Sequence, residues 1–372
     1  MNSGPETPKL QSANKVLFMP WADLGQPLTL GPVTFTPWPE VNVHDSAVRQ
    51  WLDRYFSRHL DPWGKPVRTV TLVSPGPPDF RPLWSEFTED ARRAVDALVF
   101  SIVCPSVRAA VTSDNRSLAP PTADRYQLLM ERFSPGDDSI PVCVGGMRSV
   151  GSLDRITMPR PWDVGGSACL PDDELVGGFG KMFDSGFPAD VRERVFRSLE
   201  WFRFAHTVGD GASDYSKVVM MPTAFEILLE FPDDGKKRHF VQCAESKLKR
   251  DDTFAGIRHD RNGRPHTISL PACWAIDFYE LRSRIVHGDP VKGEDLCFDR
   301  WISHLIVADL VFWQFLVEDM FARKLVGASI REIASNHHQV CRNEPFDEIA
   351  CRYKDDLLGF KETHQVLGWR PN

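Results

Sequence analysis

From Pro188 to Lys324 the apolar residues of this chain recur every three or four positions. Segments with that period bury their apolar stripes by packing helix on helix, so this feature commits the C-terminal part of the 372-residue chain to a helical bundle. A first helix over 191–206 places Val195, Phe196, Leu199, Phe202 and Ala205 on one face. A second runs over 215–231, with Pro222 near its start or at a kink because proline lacks the donor a helix interior needs. A short third helix covers 238–249. A fourth covers 273–287, where Gly288 and then Pro290 supply a stop. The fifth, over 298–324, is strongly apolar. Its core, 302–317, is interrupted by His304, Asp309 and Gln314 and is too short for a comfortable bilayer span, so it reads as a buried helix with no membrane role. Residues 326–372 read as a C-terminal helical extension.

Upstream the pattern is different. Over 15–160, short apolar runs such as LTLGPVTF and VRTVTLVS alternate with dense Pro and Gly punctuation, and two helices are expected over 46–60 and 88–104. This predicts an α+β N-terminal domain. Residues 161–187 are rich in Gly, Pro and Asp and read as a linker with a short helix at its centre. The polar stretch 1–14 lacks the features of a secretory signal and reads as a flexible tail. Eight cysteines form no CxxC pair, so reduced thiols in a cytoplasmic protein are expected. His337, His338 and Cys341 lack a matched second pair, and VGGFG at 176–180 lacks a Walker lysine or dinucleotide spacing. No metal and no cofactor are therefore expected. A formal charge of −7 excludes a protein coated in nucleic acid, and any such contact requires a local basic patch.

Chemistry concentrates in DFYELRSRIVHGD, where Arg282 and His287 stand in an Arg-x4-His arrangement at the end of the fourth helix. The spacing by itself is common. Arg54 and His59 share it, as do Arg261 and His266, and Arg331 precedes His337 and His338 by similar gaps. Basic residues in a last helical turn also meet the helix dipole favourably without any catalysis.

The surrounding wording separates the Arg282 pair from its rivals. Tyr279, Arg282, Ser283, Val286, His287 and Gly288 resemble the signature of the HEPN superfamily (higher eukaryotes and prokaryotes nucleotide-binding), in its stand-alone, Apea-like form. LEWFRFA at 199–205 and TAFEILLEF at 223–231 resemble the first two core helices of that family, the second carrying a glutamate, here Glu226. The likeness covers about a third of the chain, 188–325, and Ser283 stands where many members carry Asn, Asp or His. It implies an all-α HEPN-like bundle, a homodimer and a metal-independent endoribonuclease. Arg282 and His287 would be catalytic, with Glu226, Tyr279 and Ser283 supporting them. Arginine suits phosphate because its fork is permanently charged, and histidine suits proton transfer near neutrality.

A basic island precedes the fourth helix. Lys236, Lys237, Arg238, Lys247, Lys249, Arg250, Arg258, Arg261 and Arg264 stand against four acids, and the stretch 256–265 reads as a flap, so an RNA-binding rim is expected there. The function implied is an RNA-cleaving toxin or antiviral effector, with an antitoxin or trigger molecule acting through the N-terminal domain. The alternative is a catalytically silent HEPN dimer serving as a scaffold or nucleotide-binding module.

Overall fold

The computed structural model describes residues 14–61, 63–67, 70–75, 85–112, 123–144, 147–158, 170–207, 213–248, 255–259, 265–299 and 302–335. They divide into two compact units, one drawn from Met1–Val95 and Asp124–Leu170, the other from Asp96–Ala123 and Pro171–Asn372.

In the first unit β1 (Asn14–Met19), β2 (Leu28–Leu30), β3 (Val33–Pro37), β4 (Thr71–Pro75) and β5 (Leu129–Phe133) form an antiparallel sheet in the order β2-β3-β4-β1-β5. Alternation along β1 sends Val16 and Phe18 to one face, where they join Trp51, Leu52, Tyr55 and Phe56 of helix α1 (Ser46–Phe56) in an aromatic-rich core. Asp45 starts α1 by accepting from the backbone N–H groups of Ala47 and Val48. The expected helix to residue 60 ends sooner, because Leu60 bridges to Pro66 and His59 to Met158. A separate hairpin pairs β6 (Ser139–Val144) with β7 (Met147–Ser152). An antiparallel sheet with helices matches the α+β expectation for this half.

Helix α2 (Ser85–Thr112) is longer than expected, keeps Pro105 inside it, and crosses from one unit to the other between Val95 and Asp96. The second unit continues with α3 (Asp173–Met182), α4 (Ala189–Ala205), α5 (Asp214–Leu228), α6 (Lys236–Leu248), the hairpin β8 (Ala255–His259) and β9 (Pro265–Ser269), and α7 (Leu270–His287). A small ladder of β10 (Cys297–Asp299) and β11 (Ile302–Ser303) follows, then α8 (His304–Ala322) and α9 (Ala328–Ser335). Every residue of α8 from His304 to Val317 is buried, as an all-round apolar helix requires, and it forms the centre of the bundle. Phe312 meets Phe100, Phe202 and Phe225 at ring-centroid distances of 5.2 to 5.9 Å.

The structure moves one helix start and adds detail to two other expectations. The fifth helix begins at His304 and not at 298, because Ser303 caps it by accepting from the Leu305 N–H while the preceding residues pair as strands. Pro222 sits well inside α5. The segment 161–187 carries the short helix expected at its centre, α3. Leu175, Phe179 and Met182 of α3 are fully buried, and Glu174 accepts from the Gly327 N–H and, at 2.8 Å, from the Ser329 hydroxyl, tying α3 to the start of α9. Together with 96–123, this places the bundle's boundary well before 188. Among the described residues no helix is long and apolar enough to cross a membrane.

Candidate functional site

The Arg282 neighbourhood is assembled by the end of α5, the start of α6 and the C-terminal half of α7. After Glu226, α5 closes with Glu230 in the left-handed region (φ 52°) and the Phe231 N–H donating 2.9 Å to the Glu226 carbonyl. Gly235, at φ 73°, turns the chain into α6. Helices α6 and α7 then run antiparallel, with Lys237 opposite Glu280 at 2.9 Å and Phe240 packed on Trp274. This crossing brings Lys236 over Glu226.

The Glu226 side chain, 11% exposed, accepts two hydrogen bonds and faces a third, cationic neighbour. The Tyr279 hydroxyl donates to its Oε1 at 2.9 Å and Lys236 Nζ donates to its Oε2 at 2.8 Å. Arg282 Nη2 lies 3.5 Å from Oε1. Tyr279 and Arg282, three residues apart on one helical face, also stack, with the guanidinium carbon 5.3 Å from the ring centroid. Burial, and then the hydrogen bond to Glu226 and its charge, push the Tyr279 phenol well above its ordinary value, so it stays a donor. Arg282 Nε is buried and has no hydrogen-bond partner. Ser283 is half-buried beside it.

His287 is the last residue of α7 and is exposed. The helix ends in a Schellman motif, with Gly288 at φ 76°, its N–H donating to the Ile285 carbonyl and the Asp289 N–H to the Arg284 carbonyl. Arg284 donates to the Pro290 carbonyl at 2.6 Å and to Asp295 at 2.9 Å, which fixes the loop behind the histidine. Val286, beside it, is 55% exposed. Five helical steps place His287 about 140° around the axis and about 7.5 Å along it from Arg282. The two side chains therefore do not share a stripe of one helix.

The rival pairs are placed quite differently. Arg54 donates to both Asp138 and Asp154, and His59 is fully buried among Phe18, Trp21 and Tyr55 with neither ring nitrogen hydrogen-bonded. Burial lowers the His59 pKa to about 4. Arg331 is held by both oxygens of Glu318, at 2.9 and 3.1 Å, and lies over Phe321. Arg261, His337, His338 and Cys341 lie outside the described residues.

Among the described residues of the basic island, the cations of α6 are spread along the helix. Lys236 and Lys237 sit at the Arg282 end of α6 and Arg238 is exposed beside them, whereas Lys247, near the other end, places its ammonium 5.5 Å from the Phe315 ring centroid. The stretch read as a flap includes strand residues of β8 and β9, with Arg258 opposite His266 in register. This hairpin enters the N-terminal end of α7, whose eighteen residues put His287 about 25 Å away along the helix. Lys249, Arg250, Arg261 and Arg264 lie outside the described residues.

A second polar node escaped the sequence reading. His206 Nε2 lies 2.8 Å from Asp309 Oδ1 and its Nδ1 lies 2.7 Å from the Phe202 carbonyl, all of it buried. A carbonyl can only accept, so Nδ1 carries a proton, and the imidazole and carboxylate share the second between them. The one visible signal was Asp309 interrupting an apolar helix. His304, in the same helix, is buried against Phe278 and Phe298, and burial lowers its pKa to about 3. Among the described residues no group of three His, Cys, Asp or Glu is arranged to hold a metal ion.

Compared with known proteins, the chain matches no family model, no curated protein and no solved structure.

Proposed function

We propose that the helical unit is a HEPN-type bundle that cleaves RNA through attack of the 2′-hydroxyl on the adjacent phosphate. The observation that carries this reading is the state of Arg282. Unlike Arg54 and Arg331, each tied to carboxylates by short contacts, Arg282 comes no closer to its carboxylate than 3.5 Å and retains a buried, unpaired Nε. A guanidinium with donors to spare suits a phosphodiester, which accepts two of them at once.

His287, exposed at the helix end, takes the 2′-hydroxyl proton as the oxygen–phosphorus bond forms. An imidazolium returns a proton to the 5′-oxygen as its bond to phosphorus breaks. Arg282 offsets the charge that gathers on the phosphorane. Because Arg282 and His287 of one helix point about 140° apart, one copy makes an incomplete site, and a homodimer that pairs two α7 ends completes it. The N-terminal unit then serves as the place where an antitoxin or trigger acts, and the setting is that of a toxin or antiviral effector.

The test is cleavage of single-stranded RNA in excess chelator. Products should carry 2′,3′-cyclic phosphate and 5′-hydroxyl ends, DNA and 2′-methoxy substrates should resist, and His287→Ala should lose turnover while keeping its fold. Dependence on a divalent ion, 5′-phosphate products, or cleavage that survives His287→Ala would reject the mechanism.

A further inference from the structure

Arginine and carboxylate normally meet fork to fork, with two parallel hydrogen bonds. Glu226 and Arg282 do not. Their closest approach is Nη2 to Oε1 at 3.5 Å, longer than a charge-assisted hydrogen bond, although the pair is three-quarters or more buried, where close contact is worth most. The reason is visible in the other two donors. Tyr279 donates to Oε1 at 2.9 Å and Lys236 donates to Oε2 at 2.8 Å, and although each oxygen keeps a second lone pair, these two short bonds fix the plane in which the carboxylate lies and hold it short of the guanidinium. The stacking of Arg282 on the Tyr279 ring holds the guanidinium in this half-engaged position.

We infer that Lys236 and Tyr279 are positioning residues that stop Glu226 from closing on Arg282 with both oxygens, and so keep the guanidinium open for a phosphodiester. This rests on the RNA-cleaving reading for its ligand, but the geometry it asserts can be measured without RNA. Lys236 also begins α6, where two more cations follow and no acid stands in the first turn. Cations at a helix N-terminus oppose its dipole, so their placement is locally unfavourable. The ion pair with Glu226 gives the first of them a compensating task.

The experiment reads the accessibility of Arg282 as its rate of modification by phenylglyoxal. Peptide mass spectrometry on the full chain follows it, with exposed Arg197 as internal reference. Lys236→Met should slow the modification of Arg282 by roughly threefold to fivefold, the size of a newly closed, partly exposed ion pair. Lys236→Arg, which can still occupy Oε2, should keep the wild-type rate. The double variant Glu226→Gln with Lys236→Met should recover it, because the amide cannot clamp. Tyr279→Phe should slow modification in the same direction, and it decides the matter if Lys236→Met fails to fold by near-ultraviolet circular dichroism. An unchanged or faster rate in the folded single variants, or slowing that persists with Gln at 226, overturns the inference. Failure of the RNA-cleaving reading would appear separately, as cleavage indifferent to His287→Ala whatever the modification rates.

Discussion

Replacing His59 by phenylalanine tests whether this histidine is a buried neutral ring or a rival catalytic group. Its imidazole is completely buried, edge-on to Phe18, Trp21 and Tyr55 at centroid distances of 5.3 to 5.9 Å, and both nitrogens lack partners. Burial lowers its pKa from 6.5 to about 4. An unfolded chain therefore binds this proton below pH 6.5, whereas the folded chain does so only below about 4. The stabilising contribution is complete above pH 6.5, falls as pH drops through that window, and is gone below about 4. At about 1.4 kcal/mol per pKa unit, its full depth is ~3 kcal/mol, of which ~2 kcal/mol is lost by pH 5. His59→Phe keeps a ring in the aromatic cage, removes two unpaired polar atoms and abolishes the titration. It should be neutral to stabilising at pH 7 and should lose ~2 kcal/mol less than wild type between pH 7 and pH 5. Urea unfolding at both pH values, followed by hydrogen exchange in β1 and β4, reads the N-terminal unit by itself. Other titrating groups, His304 included, cancel in the difference between the two proteins. An equal loss in both would refute a neutral buried His59, and loss of RNA cleavage in His59→Phe would show that the wrong Arg-x4-His pair had been chosen.

Arg282→Ala should abolish RNA cleavage, whereas Arg54→Ala and Arg331→Ala should leave the chemical step intact in single-turnover assays, since both are bound up in structural ion pairs. The protein should be a dimer by light scattering at micromolar concentration, and spin labels at Val286, an exposed apolar position next to His287, should report a short distance between copies. A monomer, or labels far apart, would count against the composite site. Gly178→Ala should lower the thermal midpoint, because an added Cβ would lie 2.7 Å from Met320 Cε, 3.0 Å from Val326 Cγ1 and 3.1 Å from the Leu325 carbonyl. Overpacking of this kind costs ~1–3 kcal/mol and outweighs the ~1 kcal/mol gain in helix propensity, so an unchanged or higher midpoint would show that the α3 contact gives way freely.

The local signals were legible in the sequence because they depend on neighbours a few residues away. The three-and-four spacing of Val195, Phe196, Leu199 and Phe202 marked α4, Gly288 marked the end of α7, and the strongly apolar run around Phe312 marked the central helix. The partnership of Tyr279 with Arg282 was legible too, since three residues on a helix are one turn. What required the tertiary structure was everything that depends on which helix crosses which. Spacing could not separate Arg282 from Arg54, and beyond the neighbouring residues that set Arg282 apart, it is the Asp138 and Asp154 carboxylates and the closed aromatic cage of His59 that show the Arg54 pair to be structural. Nor could it show that Lys236 reaches Glu226 while Lys247 packs towards Phe315, because a basic run contiguous in sequence is drawn out along about 20 Å of α6. The boundary of the bundle moved for the same reason. A Gly-rich stretch such as 176–180 carries little helical propensity, and α3 holds its place through Leu175, Phe179 and the close approach of Gly178 to the end of α8. Propensity and period are short-range and can be read along the chain, whereas burial and charge pairing are fixed by contacts between residues tens to hundreds of positions apart, and those exist only once the chain has folded.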